Sequence, residues 1–340
     1  MDTMSMISSS HTAPLRTTVL AALMLSSPVM AQSLPASCSM GELATMPLTF
    51  TEDLRPVGEA NINGTTVPAM LSTGSAEQIL LNKRTLDRLG IKVNSTTSTQ
   101  YVRDDYAQKS GLTTTRTALT SLIDDYSFGR TKGKSDWFLV EEFMDDTYGV
   151  RVGAGNLLRQ DLEIALDAGY LKYFKPSGCL REHLAYWDPK AIAVPTYADK
   201  WKRDPRPIFA VRINGKDVAA LISTSTPHSY IPQSAAIRLG LTADSPGATR
   251  EEALPGDDPS KPVWNVPVQQ MSIGALDVKD FNLRLMNLDY SGEILVLGTD
   301  FLHRHRVYIA MSQEQVYFSQ IDNPRPLKRG SVKVVPHSLD

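Results

Sequence analysis

Two runs of hydroxyl residues carry the chemical interest of this chain: Ser72-Thr73-Gly74-Ser75 and Ser223-Thr224-Ser225-Thr226. A serine becomes a nucleophile only when a base lies within hydrogen-bond reach. His228, in Thr226-Pro227-His228-Ser229, is the only histidine close in sequence to either run, and it reads as an exposed loop residue. Neither serine sits in a Gly-x-Ser-x-Gly elbow. Acid-base chemistry would call for carboxylates. The adjacent pairs Asp104-Asp105, Asp124-Asp125 and Asp145-Asp146 point apart along a strand or turn and read as solvated. Asp300 reads as a helix-capping residue. His303 and His305 diverge on a helix, which argues against a metal pair. Gly153-Ala154-Gly155 lacks the third glycine and long helix of a dinucleotide loop. Lys200-Trp201-Lys202-Arg203 reads as a solvated basic face.

The elements that must position the serines occur twice. Ile62-Asn63-Gly64 precedes Ser72-Thr73 by the same offset as Ile213-Asn214-Gly215 precedes Ser223-Thr224. Each copy runs on to Arg-Leu-Gly plus an aliphatic, at Arg88–Ile91 and Arg238–Leu241. The pattern predicts strands at 60–62 and 210–213 entering Asn-Gly turns, and apolar strands returning over 67–71 and 218–222. Short helices over 83–89 and 233–239 should end at Gly90 and Gly240. The ends also correspond: Val150–Leu158, Leu162–Leu166 and Leu171–Phe174 match Leu295–Leu302, Val307–Ile309 and Val316–Phe318. A first lobe over 55–176, a linker over 177–205 containing Pro189, Pro195 and Pro205, a second lobe over 206–320 and a flexible tail over 321–340 follow.

Composition narrows the partners. Hydrophobic residues make up 42% and charged residues 21%, as in a globular protein, and the formal net charge is −2. That balance gives no electrostatic case for nucleic acid or an anionic membrane as partner. Residues 1–31 read as a signal peptide: Arg16 supplies the positive charge, 19–25 an apolar core too short to span a bilayer, and Val29-Met30-Ala31 the cleavage site. The expected location is periplasmic or secreted, with no membrane association after cleavage. Cys38 and Cys179 are the only cysteines. In an oxidising compartment they are expected to form one disulfide, worth about 3–5 kcal/mol by the loop-entropy account; two unpaired buried thiols are the alternative.

Taken in order, these elements resemble the retropepsin-like aspartic proteases. Each half of that family has a strand, a turn, an apolar strand ending in Asp-Thr-Gly, and a helix ending in Leu-Gly. An aliphatic-aliphatic-Gly strand with a short helix follows, as in Leu297-Gly298-Thr299-Asp300-Phe301-Leu302. The resemblance spans most of both lobes. It implies an all-β, bilobal, pepsin-like pseudo-dimer with a few short helices and a cleft between lobes.

The departures bear on function. The family's aspartate positions are Ser72 and Ser223; Thr73, Gly74 and Thr224 are kept, and Ser225 replaces the second glycine. In the family two facing carboxylates share a proton, one taking a proton from the attacking water while the other donates to the substrate carbonyl. Serine has no ionisation near neutral pH and cannot replace that base. The expectation is therefore an exported pseudo-protease without catalytic residues, cofactor or metal, monomeric, and binding a peptide or protein in the cleft. An active hydrolase using noncanonical residues and a structural assembly module are the alternatives. Tyr101, Tyr106, Tyr126, Trp137 and Trp264 fall in flap-like stretches. They serve either hairpin packing or a wall for a chain held by β-addition, and of these Tyr101, Tyr126, Trp137 and Trp264 are the candidate binding residues.

Overall fold

Asn63 and Gly64 both take left-handed backbone, with φ of 49° and 84°, and Asn214 and Gly215 do the same at 49° and 78°. Two consecutive residues at positive φ make the tight turn whose twist suits a two-residue hairpin. Strand Pro56–Ile62 therefore folds back as Thr65–Ser72, and Phe209–Ile213 as Lys216–Ile222. The computed structural model describes residues 38–101, 113–128, 131–142, 146–197, 204–252, 260–287 and 293–327, the side chains of 96–101 and 113–117 excepted. Residues 1–31, read as a signal peptide, Asp104, Asp105, Tyr106, Asp145, Lys200–Arg203 and the residues beyond 327 lie outside the described residues.

In each lobe the returning strand is then joined in parallel by a strand from much later in the chain. Thr65–Ser72 pairs with Val150–Gly153, placing Ser72 opposite Gly153. Lys216–Ile222 pairs with Ile294–Leu297, placing Ile222 opposite Leu297. On the far side, Val150–Gly153 meets Ile79–Asn82, and Ile294–Leu297 meets the start of Tyr230–Pro232. Each hydroxyl run thus leaves the end of a strand buried in the middle of its sheet. The helices Lys83–Arg88 and Gln233–Arg238 stop at Gly90 and Gly240, whose φ values of 66° and 78° suit glycine at a C-terminal cap. Asn82 caps the first helix by accepting from the Arg84 amide.

The described strands form sheets of eight, nine and six. The first two are the lobes. The third runs Glu42–Pro47, Tyr170–Phe174, Asp161–Ala165, His305–Ala310, Gln315–Gln320, Ile192–Pro195, and draws on both halves of the chain. Its central pairing, Asp161–Ala165 against His305–Ala310, fastens one lobe to the other. Within it, fully buried Glu163 pairs with Arg306 at 2.5 Å and accepts from the Tyr170 and Tyr186 hydroxyls. A disulfide joins Cys38 to Cys179 beside this sheet.

The proline-containing stretch 177–205, read as a linker, contributes strand Ile192–Pro195 to the six-stranded sheet, and its backbone is paired with Gln315–Gln320. Pro195 stands at the end of that edge strand, where the missing amide costs least. No helix among the described residues is long and apolar enough to cross a membrane.

Candidate functional site

The two hydroxyl runs meet. Thr73 Oγ1 donates to the Ile222 carbonyl at 2.8 Å, and Thr224 Oγ1 donates to the Leu71 carbonyl at 2.5 Å. Each threonine oxygen also accepts the other's backbone amide, at 3.1 and 3.2 Å. Both side chains are buried. Every donor and acceptor in this crossed arrangement is satisfied by the opposite lobe, so it fixes the local two-fold relation between the loops.

Above this base sits a chain of hydroxyls. Ser72 Oγ lies 2.7 Å from Ser225 Oγ, Ser225 Oγ lies 3.4 Å from Ser223 Oγ, and Ser223 Oγ lies 2.7 Å from Thr226 Oγ1. Ser72 and Ser223 are buried, and Ser225 is half-buried. The two sides differ at the residue after the threonine. A Cβ on Gly74 would lie 2.5 Å from Ser223 Oγ and 2.6 Å from its Cβ, so the first loop has room for glycine alone. In the second loop Ser225 occupies that position and turns its hydroxyl toward Ser72.

The loops are laid down on paired strand ends. Gly153 donates to the Gln78 carbonyl and Ala154 to the Ser75 carbonyl, both at 2.7 Å. In the second lobe Thr299 donates to the Thr226 carbonyl at 2.8 Å, and the Gly298 amide donates to Ser229 Oγ at 2.8 Å. A Cβ on Gly153 would fall 2.2 Å from the Glu77 carbonyl, and one on Gly298 2.6 Å from that of Thr226. Asp300, expected to cap its own helix, bonds an amide of that helix's first turn and also reaches across to this loop. It accepts from Ser229 Oγ at 2.6 Å and from the Ser229 amide at 2.8 Å, as well as from the Phe301 amide. Burial pushes its carboxyl up, against the opposing pull of those hydrogen bonds.

A cleft of about 350 Å³ opens over the hydroxyls. The first lobe lines it with Ser72, Gly74, Ser75, Ala76, Glu77 and Arg151; the second with Arg206, Leu221, Ser223, Ser225, Thr226, Tyr230 and Val296. Arg206 forks onto Asp204 and donates to the Gly74 carbonyl at 3.1 Å, bridging from the second half to the first loop. Arg151 donates to the Glu141 carboxylate. Burial pushes the Glu77 carboxyl up. The Ser75 hydroxyl, the Glu77 amide and the charges of Arg151 and Arg206 outweigh that and hold it below the usual carboxylate range.

The aromatic candidates lie elsewhere. Tyr126 is buried in hairpin packing, stacked on Phe128 with centroids 5.2 Å apart and edge-on to Phe138 at 4.8 Å, with its hydroxyl on Asp136. Trp137 is 57% exposed and faces away from that cluster, opposite exposed Leu122. Trp264 is half-buried against the second lobe's core. None of the three lines the cleft. The side chain of Tyr101 lies outside the described residues. His228 is exposed, as the sequence suggests, and is not part of the cleft wall. Among the described residues no cluster of histidine, cysteine and carboxylate side chains is arranged to hold a metal. The wall residues Glu77, Arg151, Arg206 and Tyr230 were not singled out from the sequence. For Arg151 a signal existed: Val150-Arg151-Val152-Gly153 carries a charge where Leu295-Val296-Leu297-Gly298 carries valine.

Residues 209–304 match the family described as "gag-polyprotein putative aspartyl protease". No curated protein matches the chain. The crystal structure of the aspartic proteinase from Irpex lacteus is similar at a TM-score of 0.49 and 12% identity, over 84% of this chain and 99% of that one. The second lobe carries the family match and the first repeats its strand order about the same crossed threonines. The second lobe is thus similar in sequence to that family, and the chain has an all-β fold of two lobes.

Proposed function

We propose that this aspartic-protease-like chain is an exported pseudo-protease that holds an extended peptide or protein segment between its lobes without cutting it. One observation carries the reading: at the meeting point of the lobes, Ser72 Oγ is bonded to Ser225 Oγ at 2.7 Å, with Ser223 Oγ 3.4 Å beyond. Hydrolysis by this fold needs a carboxylate pair that takes a proton from a water held between them. Here both positions are hydroxyls, which have no charge to offer that proton. The Ser225 hydroxyl also stands between the two serines, where a shared water would be held. The chemistry therefore lacks its base, and the position of its nucleophile is filled.

Retention of the scaffold favours binding. The crossed threonines keep the loops in register, and the cleft is open with walls from both lobes. An extended chain laid there would offer backbone groups to strand edges and side chains to the walls. Export rests on the leader-like 1–31 and agrees with the bonded cysteines.

The test is equilibrium capture of a random peptide pool by the mature protein, with mass-spectrometric identification of what is retained. Enrichment of intact peptides is the expected result. Enrichment of fragments sharing a terminus would favour an active hydrolase, and no enrichment would favour an assembly role.

A further inference from the structure

The repeat gives each wall residue a counterpart, and the counterparts are chemically unlike. Arg151 stands opposite Met70 in the pairing of Val150–Gly153 with Thr65–Ser72. Val296 stands opposite Leu221 in the pairing of Ile294–Leu297 with Lys216–Ile222. The neighbours of each along the strand, Val150 and Val152 in one lobe and Leu295 and Leu297 in the other, are buried in the core. Alternation along a strand then turns Arg151 and Val296 to the opposite face, where both line the cleft.

We propose that the cleft distinguishes its two sides, taking an acidic side chain against Arg151 and an apolar side chain against Val296, Leu221 and Tyr230. This rests on the peptide-binding reading above. Arg151 carries a guanidinium on the cleft face where the second lobe carries the apolar Val296. The Arg151 side chain is 24% exposed and its partner Glu141 34%, and an ion pair so open to water contributes little stability. The contact with Glu141 runs through Nη2. A guanidinium has five N–H donors in a planar fork that suits a carboxylate, so further donors remain. The same wall already holds one anion, Glu77, kept ionised by the Ser75 hydroxyl and the Glu77 amide and, to a smaller extent, by the charges of Arg151 and of Arg206 from the second half. On the facing wall the counterpart strands bring no charge: Val296 and Leu221 are buried hydrocarbon and Tyr230 an amphipathic ring, while Arg206 of the second half reaches over to the first loop at the Gly74 carbonyl. A bound strand crossing the two-fold would therefore meet the Arg151 guanidinium on one side and an apolar recess on the other.

The experiment measures fluorescence-anisotropy binding of peptides drawn from the captured set. Each acidic residue is changed in turn to its amide, with the wild-type protein and the Arg151→Met and Arg151→Lys variants. At one position Glu→Gln should weaken wild-type binding about tenfold, and rising salt should shrink that ratio. Arg151→Met should bring the ratio to about one while the Gln peptide still binds, and Arg151→Lys should keep part of it. Acid-to-amide changes without effect on the wild type, or a ratio that survives Arg151→Met in a protein that still binds, would overturn the inference and leave peptide binding standing. Failure of the wild type to bind any peptide would overturn both.

Discussion

The two lobes share a backbone plan and differ in what they hang on it. Thr73 and Thr224 perform the same task in mirror fashion, and Gly153 and Gly298 leave the same gap for a passing carbonyl. Around them the counterparts separate: Gly74 against Ser225, Glu77 against His228, Arg151 against Val296, Gly155 against Asp300. The last pair shows how. In the first lobe the Gly153 amide is met by a backbone carbonyl, and a Cβ on Gly155 would lie 2.9 Å from Gln78 Cγ. In the second lobe the corresponding amide is met by the Ser229 hydroxyl, which Asp300 orients. Positions whose backbone permits one solution are alike, and positions that face the cleft or touch only a side chain have diverged.

The comparison can be broken first at its symmetric part. Thr73→Val and Thr224→Val each remove a donor and an acceptor and leave an opposite carbonyl and amide buried without partners. Each should cost about 2–4 kcal/mol in urea unfolding, and the two costs should agree. A large cost on one side alone would mean that the crossed bonds are not equivalent.

A second effect belongs to the second lobe. His305 is 3% exposed, lies on the Phe301 ring with centroids 4.0 Å apart, and has Nδ1 2.9 Å from the Phe301 carbonyl. Burial pushes its pKa from the ordinary 6.5 down to about 4, despite the opposing pull of that hydrogen bond. The unfolded chain then takes up a proton near 6.5 and the folded chain only near 4. The contribution is fully present above about pH 6.5, is lost as pH falls toward 4, and levels off below. Its size is about 3 kcal/mol. The difference in stability between wild type and His305→Phe, followed over that window, should change by this amount. A flat difference would contradict it.

Smaller effects separate Gly74 from Ser225. Gly74→Ser forces a side chain onto Ser223 and should cost about 1–3 kcal/mol. Ser225→Gly removes a hydroxyl that contacts Ser72 and, at longer range, Ser223 from a half-buried site, and should cost about 1 kcal/mol or less. Thermal melts of the two variants give the ranking directly, and equal costs would refute the asymmetry.

What was legible in the sequence was what backbone geometry dictates locally. Asn-Gly turns, the glycines after Leu89 and Leu239, and the matching Ser-Thr ends fixed both lobes, because few other residues fit those conformations. Strands Glu42–Pro47 and Ile192–Pro195 gave no comparable signal. Both lie at the edges of the six-stranded sheet, bury little, and pair with strands distant in sequence, which no local pattern can announce. The aromatic residues misdirect for a related reason: a ring is apolar whether it packs in a hairpin, as Tyr126 does, or stands on the outer face, as Trp137 does. Which face a strand residue takes depends on register, and register follows from the fold. Arg151 was readable only by laying one repeat over the other.

The central claim is that the meeting point of the lobes has hydroxyls where acid-base groups would be needed. The most direct test is steady-state peptide cleavage by the unaltered mature protein from about pH 4 to 7, beside Ser72→Ala and the combined Ser72→Asp, Ser223→Asp, Ser225→Gly variant. The account predicts no turnover by the wild type or Ser72→Ala, with any gain confined to the triple variant. Turnover by the wild type that disappears in Ser72→Ala would contradict it and make the serine catalytic.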